Sequence, residues 1–533
     1  MLIQTVMKKI YKSSKREILI FLFLVFSLSS FGQILPEWVD TIGVPPPNYA
    51  LQVDMKVDPF GNTYVGSLRA DTSGNHYLEL VKYNAAGTRL FVVDTTLSYT
   101  YSLSIEIDDS MNVYAAINDG SPNSILILKY NTIGNLVWSS TNASLSHYSF
   151  LGGYIKTTID RNNNIYVSGQ GDSIPVSSNH DIITMKFNSS GVYQWSARYD
   201  HDWNDGGFVY LGLDSMLNVY VTGRSWDPIT SWDIALIKYN SSGVQQWVQR
   251  FDITGIDYET PSSFAVSPGG NCYVGGMYSV NGGGGADYLV IKYDSSGNFK
   301  WSSVYNVTAG EDWLKSLKID SSENVYVTGT SALNSGPDRN YFTMKYDSSG
   351  NILWTRSYDS SNGLGFGEDA KALCLDYLNN VYVTGFSFDG KKYIFTIKYD
   401  TNGDTLWVAS YRYNSMSSSE AYNCSCDSYN NVYLSGVHND YNGSVSLITL
   451  KYGSTVNVEE IISSNDYVLY PNPTSSILNL FLKNEVNIIV TNMLGEIVLQ
   501  KNAEGKVELD VTSLSAGIYF IKAGNEVRKF VKE

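Results

Sequence analysis

The chain has 533 residues, a formal net charge of −15, and 43% hydrophobic but only 17% charged side chains. That length exceeds what a single core usually serves, so several domains or a repeat array are expected. Nucleic acid is excluded as the natural partner of so acidic a chain, because phosphate recognition needs basic surface.

The N-terminus carries Lys8, Lys9, Lys12, Lys15 and Arg16, then the apolar run Ile18–Leu28, then Ser30-Phe31-Gly32. A basic region, a short apolar core and small residues at a cleavage point read as a secretory signal peptide over residues 1–32. A run of eleven residues, ten of them apolar, is too short to span a bilayer comfortably. No other stretch is long and apolar enough, so the mature chain is expected to lack a transmembrane segment. Without the leader, 32 basic and 51 acidic side chains remain. Cations, or polymers bridged by cations, suit that surface.

Residues 33–453 repeat. The phrase Asp-x-x-x-Asn-Val-Tyr-Val-x-Gly starts at Asp160, Asp214, Asp320, Asp376 and Asp427, with weaker copies at Asp58, Asp108 and Ser267. Its tyrosines, from Tyr64 to Tyr433, are 50 to 56 residues apart. A second phrase follows each: an alternating strand, Lys-Tyr, a Ser-Ser-Gly-type turn, then Trp, as in Asp233 to Trp247 and Asp287 to Trp301. Period-two alternation and Asp/Asn/Gly turns predict four strands per unit, with the Trp strand first. A four-stranded sheet cannot bury both faces alone. Stacking eight units around an axis buries them, so the fold class expected is all-β: an eight-unit β-propeller with four-stranded blades, and an open solenoid as the alternative. The recurrent Trp and Tyr are then packing residues. Four cysteines (Cys272, Cys374, Cys424, Cys426) lie on predicted strands without metal-ligand spacing; they read as buried small apolar residues, with room for one disulfide. The Asp287–Trp301 phrase resembles the SBBP-type repeat of bacterial secreted proteins. That resemblance implies a propeller, of seven blades where the count of units gives eight, and an extracytoplasmic habit.

Beyond Tyr452 the repeat stops. Residues 454–466 are linker-like, and 467–533 alternate as a small Ig-like β-sandwich would. The pieces Tyr470-Pro471-Asn472-Pro473, Asn492-Met493-Leu494-Gly495, Leu514-Ser515-Ala516-Gly517-Ile518-Tyr519 and Lys529-Phe530-Val531-Lys532 stand in order. They resemble the type A C-terminal sorting domain of the type IX secretion system of Bacteroidota. The resemblance implies engagement of that machinery, translocation across the outer membrane, removal of the domain, and an extracellular or surface location.

In an up-and-down sheet, successive connections alternate between two ends. The uniform Asp-x-x-x-Asn and Asp-Ser-Ser-Gly turns share one end, and the long, dissimilar loops share the other. Variable loops on a rigid scaffold are where binding is expected. Trp203, Trp226, Trp232 and Trp313 fall there, outside the repeat register, with Asp205 beside the first of them. Aromatic faces beside acids suit sugar rings; loop-packing anchors are the alternative reading. Acids also recur in the first long loop, at Asp205, Asp257/Glu259, Glu311, Asp312, Glu368, Asp369 and Glu420, and clustered oxygens there could hold calcium.

Catalytic signatures are lacking: the five histidines are scattered and no nucleophile or zinc motif occurs. The Asp-x-x-Gly-x-x-x-Trp phrase resembles the tryptophan-docking motif of quinoproteins. It is one residue shorter, however, and Ser425 separates Cys424 from Cys426, so no catalytic residue is carried over. The leading expectation is a secreted or surface adhesion or binding protein for a glycan or protein ligand. A secreted propeller enzyme, polysaccharide-acting or quinoprotein-like, and a purely structural surface protein are the alternatives.

Overall fold

The computed structural model describes residues 34–532, except 44–48, 72, 99, 120–123, 142–147, 174–179, 202–203, 254–256, 281–284, 307–309, 333–338, 360–366, 415, 441–444, 455–468, 471–473, 493–494 and 524–525. The expected leader, Trp203, most of the linker and the Pro471-Asn472-Pro473 and Met493-Leu494 pieces therefore lie outside the described residues. The chain divides into two compact units, Met1–Val458 and Glu459–Glu533. No helix among the described residues is long and apolar enough to cross a membrane.

In the first unit, the described strands fall into eight antiparallel four-stranded sets. The first set is Tyr49–Val57, Thr63–Ala70, His76–Tyr83 and Arg89–Leu97, hydrogen-bonded in that order. The pattern recurs over residues 100–141, 148–199, 210–251, 258–305, 312–358 and 369–411. The eighth set takes Ser418–Cys426, Val432–Asn439 and Val445–Tyr452 from the end of the repeat and its outer strand, Trp38–Gly43, from the beginning. The leading strand of each set packs against that of the next, and Ser418–Cys426 returns to Tyr49–Val57. This is a β-propeller. The unit expected from sequence is displaced by one strand: the Trp strand pairs with the Lys-Tyr strand before it, as Lys186 with Trp195. The sequence period fixes spacing but not which neighbour a strand pairs with.

The two phrases persist because each side chain is used in bonding. Asp58 Oδ1 accepts from the amides of Phe60 and Asn62, at 3.0 and 2.9 Å, and Oδ2 accepts from Asn62 Nδ2 and Tyr64 OH. The same turn forms at Asp160, Asp214, Asp320, Asp376 and Asp427. The lysine of Lys-Tyr lies over the motif tyrosine ring, Lys82 Nζ at 4.8 Å from the Tyr64 centroid and Lys238 Nζ at 5.0 Å from that of Tyr220. Sets are then joined by the indole. Trp195 Nε1 donates to Ser241 O of the next set at 3.1 Å, Trp301 to Ser348 O at 3.2 Å and Trp354 to Thr401 O at 3.1 Å.

The turn glycine lies flat on that indole. Gly350 has φ +89° and a Cβ there would sit 2.6 Å from Trp301. Gly350→Ala is expected to cost about 2–3 kcal/mol, from left-handed strain plus overpacking. Gly390→Ala, with φ +103° but open space around it, should cost only about 1 kcal/mol. Denaturant midpoints of the two variants check the difference.

Some sets depart from the rule: the first carries Phe91 in place of the Trp. In the fifth, Ser267 replaces the motif Asp, and the carboxylate comes from the next set. Glu323 accepts from Tyr273 OH at 2.6 Å, from Asn271 Nδ2 at 2.9 Å and from Lys292 Nζ at 3.3 Å. At the seam between the seventh and eighth sets there is no Ser-Ser-Gly hairpin, because the outer strand of the eighth comes from the N-terminus. Trp407, 3% exposed, packs with Ile34 and Tyr452, and its Nε1 has no hydrogen-bond partner among the described residues. The same seam carries a disulfide between Cys374 and Cys424, on the leading strands of the two sets. Cys272 is a buried free thiol, and Cys426 Sγ lies 3.4 Å from Cys374 Sγ.

In the second unit, a long hairpin, Ile477–Asn492 with Ile497–Asp510, is flanked by Leu469–Tyr470, Gly517–Ala523 and Glu526–Lys532 in one five-stranded sheet. The pairing slips between Leu482 and Val486. Leu478, Leu480 and Leu482 before the slip share one core with Ile488, Val490 and Phe530 after it.

Candidate functional site

The variable-loop end of the fourth set brings Trp226, Trp232 and Asp205 near one another. Trp226 and Trp232 face each other across the tip of the hairpin Val219–Asp227/Ser231–Tyr239. Both are half-buried. The Arg224 guanidinium lies 4.4 Å from the Trp232 ring centroid and 4.9 Å from that of Phe208. Trp313, two sets on, is likewise half-buried, with Arg339 4.2 Å and Lys315 4.7 Å from its ring. Each of these two indoles thus has a cation on its ring.

Beside the Trp226–Trp232 hairpin lie two groups of three acids. Asp181, Asp200 and Asp205 form one, and Asp233, Asp252 and Glu259 the other; in each, the three residues offer carboxylate oxygens within 4.8 Å of one another. The groups occupy equivalent places in consecutive seams. Asp181 and Asp233 stand five residues before the Lys of Lys-Tyr, and Asp200 and Asp252 five residues after the Trp. The third acid comes from the following set: Asp205 pairs with Ser225 and Glu259 with Tyr278, each partner five residues past the motif tyrosine. A parallel β-bridge between two sets, Trp232 with Tyr258, adjoins Asp233 and Glu259.

Arginines link the groups. Arg198 bonds Asp181 Oδ2 at 2.5 Å and Asp200 Oδ2 at 2.6 Å. Arg250 bonds Asp233 Oδ2, reaches Asp227 Oδ2 at 3.3 Å and meets the His201 ring at 2.8 Å. The His201 amide in turn donates to Asp205 Oδ2 at 2.6 Å. Burial raises the Asp205 carboxyl to about 7, against its bonds from Ser225 and His201 and helped by the charges of Asp181 and Asp200. Burial also raises Glu259 to about 8, against the Ile253 amide and with the charges of Asp252, Asp233 and Asp257 adding to it.

The acids expected to hold a cation are placed differently. Glu311 is exposed and pairs with Arg339 at 3.2 Å. Asp312 and Glu368 are buried in two further seams, where Asn306 and Asn340 stand at the positions of Asp252 and Asp233. Asp369 accepts from Thr330 Oγ1 at 2.6 Å and pairs with Lys371 at 2.5 Å, and Glu420 pairs with Lys392 at 3.2 Å. These five are spread over successive seams and do not gather. Sequence reasoning reached Asp205 and Glu259 but missed Asp181, Asp200, Asp233 and Asp252. Their signal was the fixed offset from Lys-Tyr and Trp.

Comparison with known proteins bears on the address of the chain. An uncharacterized WD repeat-containing protein of Acanthamoeba polyphaga mimivirus is 24% identical over 405 residues, 68% of this chain. The chain spans only 26% of that relative. Among solved structures, the WD40 domain of SCAP from fission yeast aligns at 7% identity and TM-score 0.42, covering 78% of this chain and 98% of that one. The β-propeller domain of the Trilobed protease of Pyrococcus furiosus aligns at 9% and 0.38 (65% and 94% covered), and the polysaccharide lyase Uly1 at 9% and 0.41 (77% and 91% covered). Residues 468–533 match the family of secretion system C-terminal sorting domains. The chain therefore ends in a type IX sorting tail and is a protein exported to the outer surface or beyond it.

Proposed function

We propose that the mature protein is a closed, eight-bladed β-propeller, released from or displayed on the cell surface, that binds an extracellular glycan or protein through its variable-loop end. The SBBP-type character of the repeat and an N-terminal leader belong to this reading, as does a C-terminal sandwich that engages the type IX machinery and is then removed. The observation that carries it is the unequal use of side chains at the two ends. At the turn end, Asp58, Tyr64, Lys82 and their equivalents are occupied in bonds within and between sets. At the loop end, Trp226, Trp232 and Trp313 lie outside the repeat, half-buried, with guanidinium groups on the Trp232 and Trp313 rings. Ring stacking beside polar groups is what a sugar needs.

A carbohydrate array probed with the full chain tests this. Binding is expected for wild type, and at least about tenfold weaker binding, about 1.4 kcal/mol, for Trp226→Ala or Trp313→Ala. Undiminished binding by both variants would remove the tryptophans from the site. No binding to any saccharide would leave protein ligands or a structural role.

A further inference from the structure

We infer that the two seams flanking the fourth blade each hold a hard divalent cation of the calcium type, one at Asp181–Asp200–Asp205 and one at Asp233–Asp252–Glu259. Carboxylate crowding alone would not carry this, since exposed acids often cluster without an ion. The second observation is the set of oxygens left over. Glu259 is 0% exposed and Asp233 2% exposed, yet Glu259 Oε2 and Asp233 Oδ1 have no hydrogen-bond partner among the described residues. In the neighbouring seam Asp205, 1% exposed, likewise leaves Oδ1 without one. A buried carboxylate oxygen with nothing to accept from is costly, and native proteins satisfy such groups with a donor or an ion.

The arginine at each place does not meet the need. Arg250 spends its guanidinium on the other oxygen of Asp233 and on Asp227. Its single positive charge stands against the carboxylates of Asp233, Asp252 and Glu259, with Asp227 and Asp257 nearby. A divalent ion neutralises the remainder. The donors are all carboxylate oxygens, with no thiol or imidazole among the six residues, which selects a hard cation over zinc or copper. Three carboxylates drawn from two sets at irregular spacing suit calcium, which takes six to eight oxygens in flexible geometry.

Position gives the ion a role. Asp233 and Asp252 belong to one set and Glu259 to the next; Asp181 and Asp200 belong to one set and Asp205 to the next. Each cation would therefore clamp two blades at the loop end, fixing the hairpin that carries Trp226 and Trp232 from both sides. The inference stands apart from the identity of the ligand, since metal occupancy is read without one.

Calcium chloride titrated calorimetrically into the chelator-stripped full-length chain tests it. Wild type should take up two equivalents and gain melting temperature, as mass action requires of an ion bound only by the folded state. Glu259→Gln should lose one equivalent and Asp205→Asn the other, while Glu311→Gln keeps both. The ion retained by each single variant reports that it is folded. If either substitution unfolds the chain, terbium luminescence of the wild type decides: an ion in the second site lies beside Trp232 and Tyr258 and should be sensitised by them, then quenched by excess calcium. No saturable calcium uptake, full uptake by both variants, or unsensitised terbium would overturn the inference.

Discussion

A chain lacking Ile34–Gly43 should be less stable by about 5 kcal/mol and should self-associate. The segment supplies the outer strand of the eighth set, pairing Trp38 through Gly43 with Lys451 through Ser446. It also reaches the first set: Trp38 Nε1 donates to Ala85 O at 3.1 Å, and Arg89 holds Asp40 at 2.7 Å. Burial of Ile34, Trp38 and Ile42 at about 1.5–3 kcal/mol each gives the magnitude. Self-association follows because Val445–Tyr452 becomes an unpaired apolar edge. Thermal unfolding and size-exclusion chromatography measure both. A truncated chain that stays monomeric and melts within about 1 °C of the intact one would show that the first strand does not close the ring.

Glu323→Ala should cost about 2–3 kcal/mol, far more than an ordinary turn substitution, because it leaves Tyr273, Asn271 and Lys292 without their shared acceptor. Adding Ser267→Asp should recover most of the loss, by restoring in place the carboxylate that the other sets carry. The pH dependence has a definite sign. Burial alone would raise Glu323, but bonds from Tyr273, Ser267, Asn271 and Lys292 outweigh it and bring the carboxyl down to about 2 from its ordinary 4.5. A folded value below the unfolded one stabilises fully above the unfolded value and is lost as pH falls from there through the folded one. Glu323→Gln should therefore flatten the acid limb of the stability profile between about pH 4.5 and 2. Equal acid limbs for the two proteins would remove Glu323 from this role.

The repeat was legible because its residues do the same work in nearly every set: Asp214 builds a turn, Tyr220 bonds Asp214, Lys238 lies over Tyr220 and Trp247 ties the next turn. Local turn chemistry and side-chain alternation are written in consecutive residues, so strand count and turn positions follow. Which strand pairs with which depends on closure between residues more than 400 positions apart, such as Trp38 and Lys451, and no local pattern encodes that. The loop end was legible in part. Trp226 and Trp232 were found as departures from the period, but the guanidinium on Trp232 comes from Arg224, two residues before Trp226, and only strand alternation puts it there. Asp205 and Glu259 were visible as loop acids. Their companions Asp181 and Asp233 look in sequence like ordinary first letters of the Lys-Tyr phrase and become neighbours only across a seam. Glu323 was hidden for the same reason: it reads as a turn residue of its own set and serves another.

The seam between the seventh and eighth sets is the one where Trp407 finds no turn carbonyl among the described residues, and it is also the one that Cys374 and Cys424 bridge. A protein working outside the cell meets proteases and shear, with no cytoplasm to refold it. Fraying would start at the set assembled from both ends of the repeat, whose outer strand is held only noncovalently. With the bridge in place, loss of that strand leaves the three remaining strands tethered at the inner edge as well as through the chain. Strain that opens this weakest joint can then be followed by reclosure for as long as the strand stays part of the chain, so transient opening there is reversible.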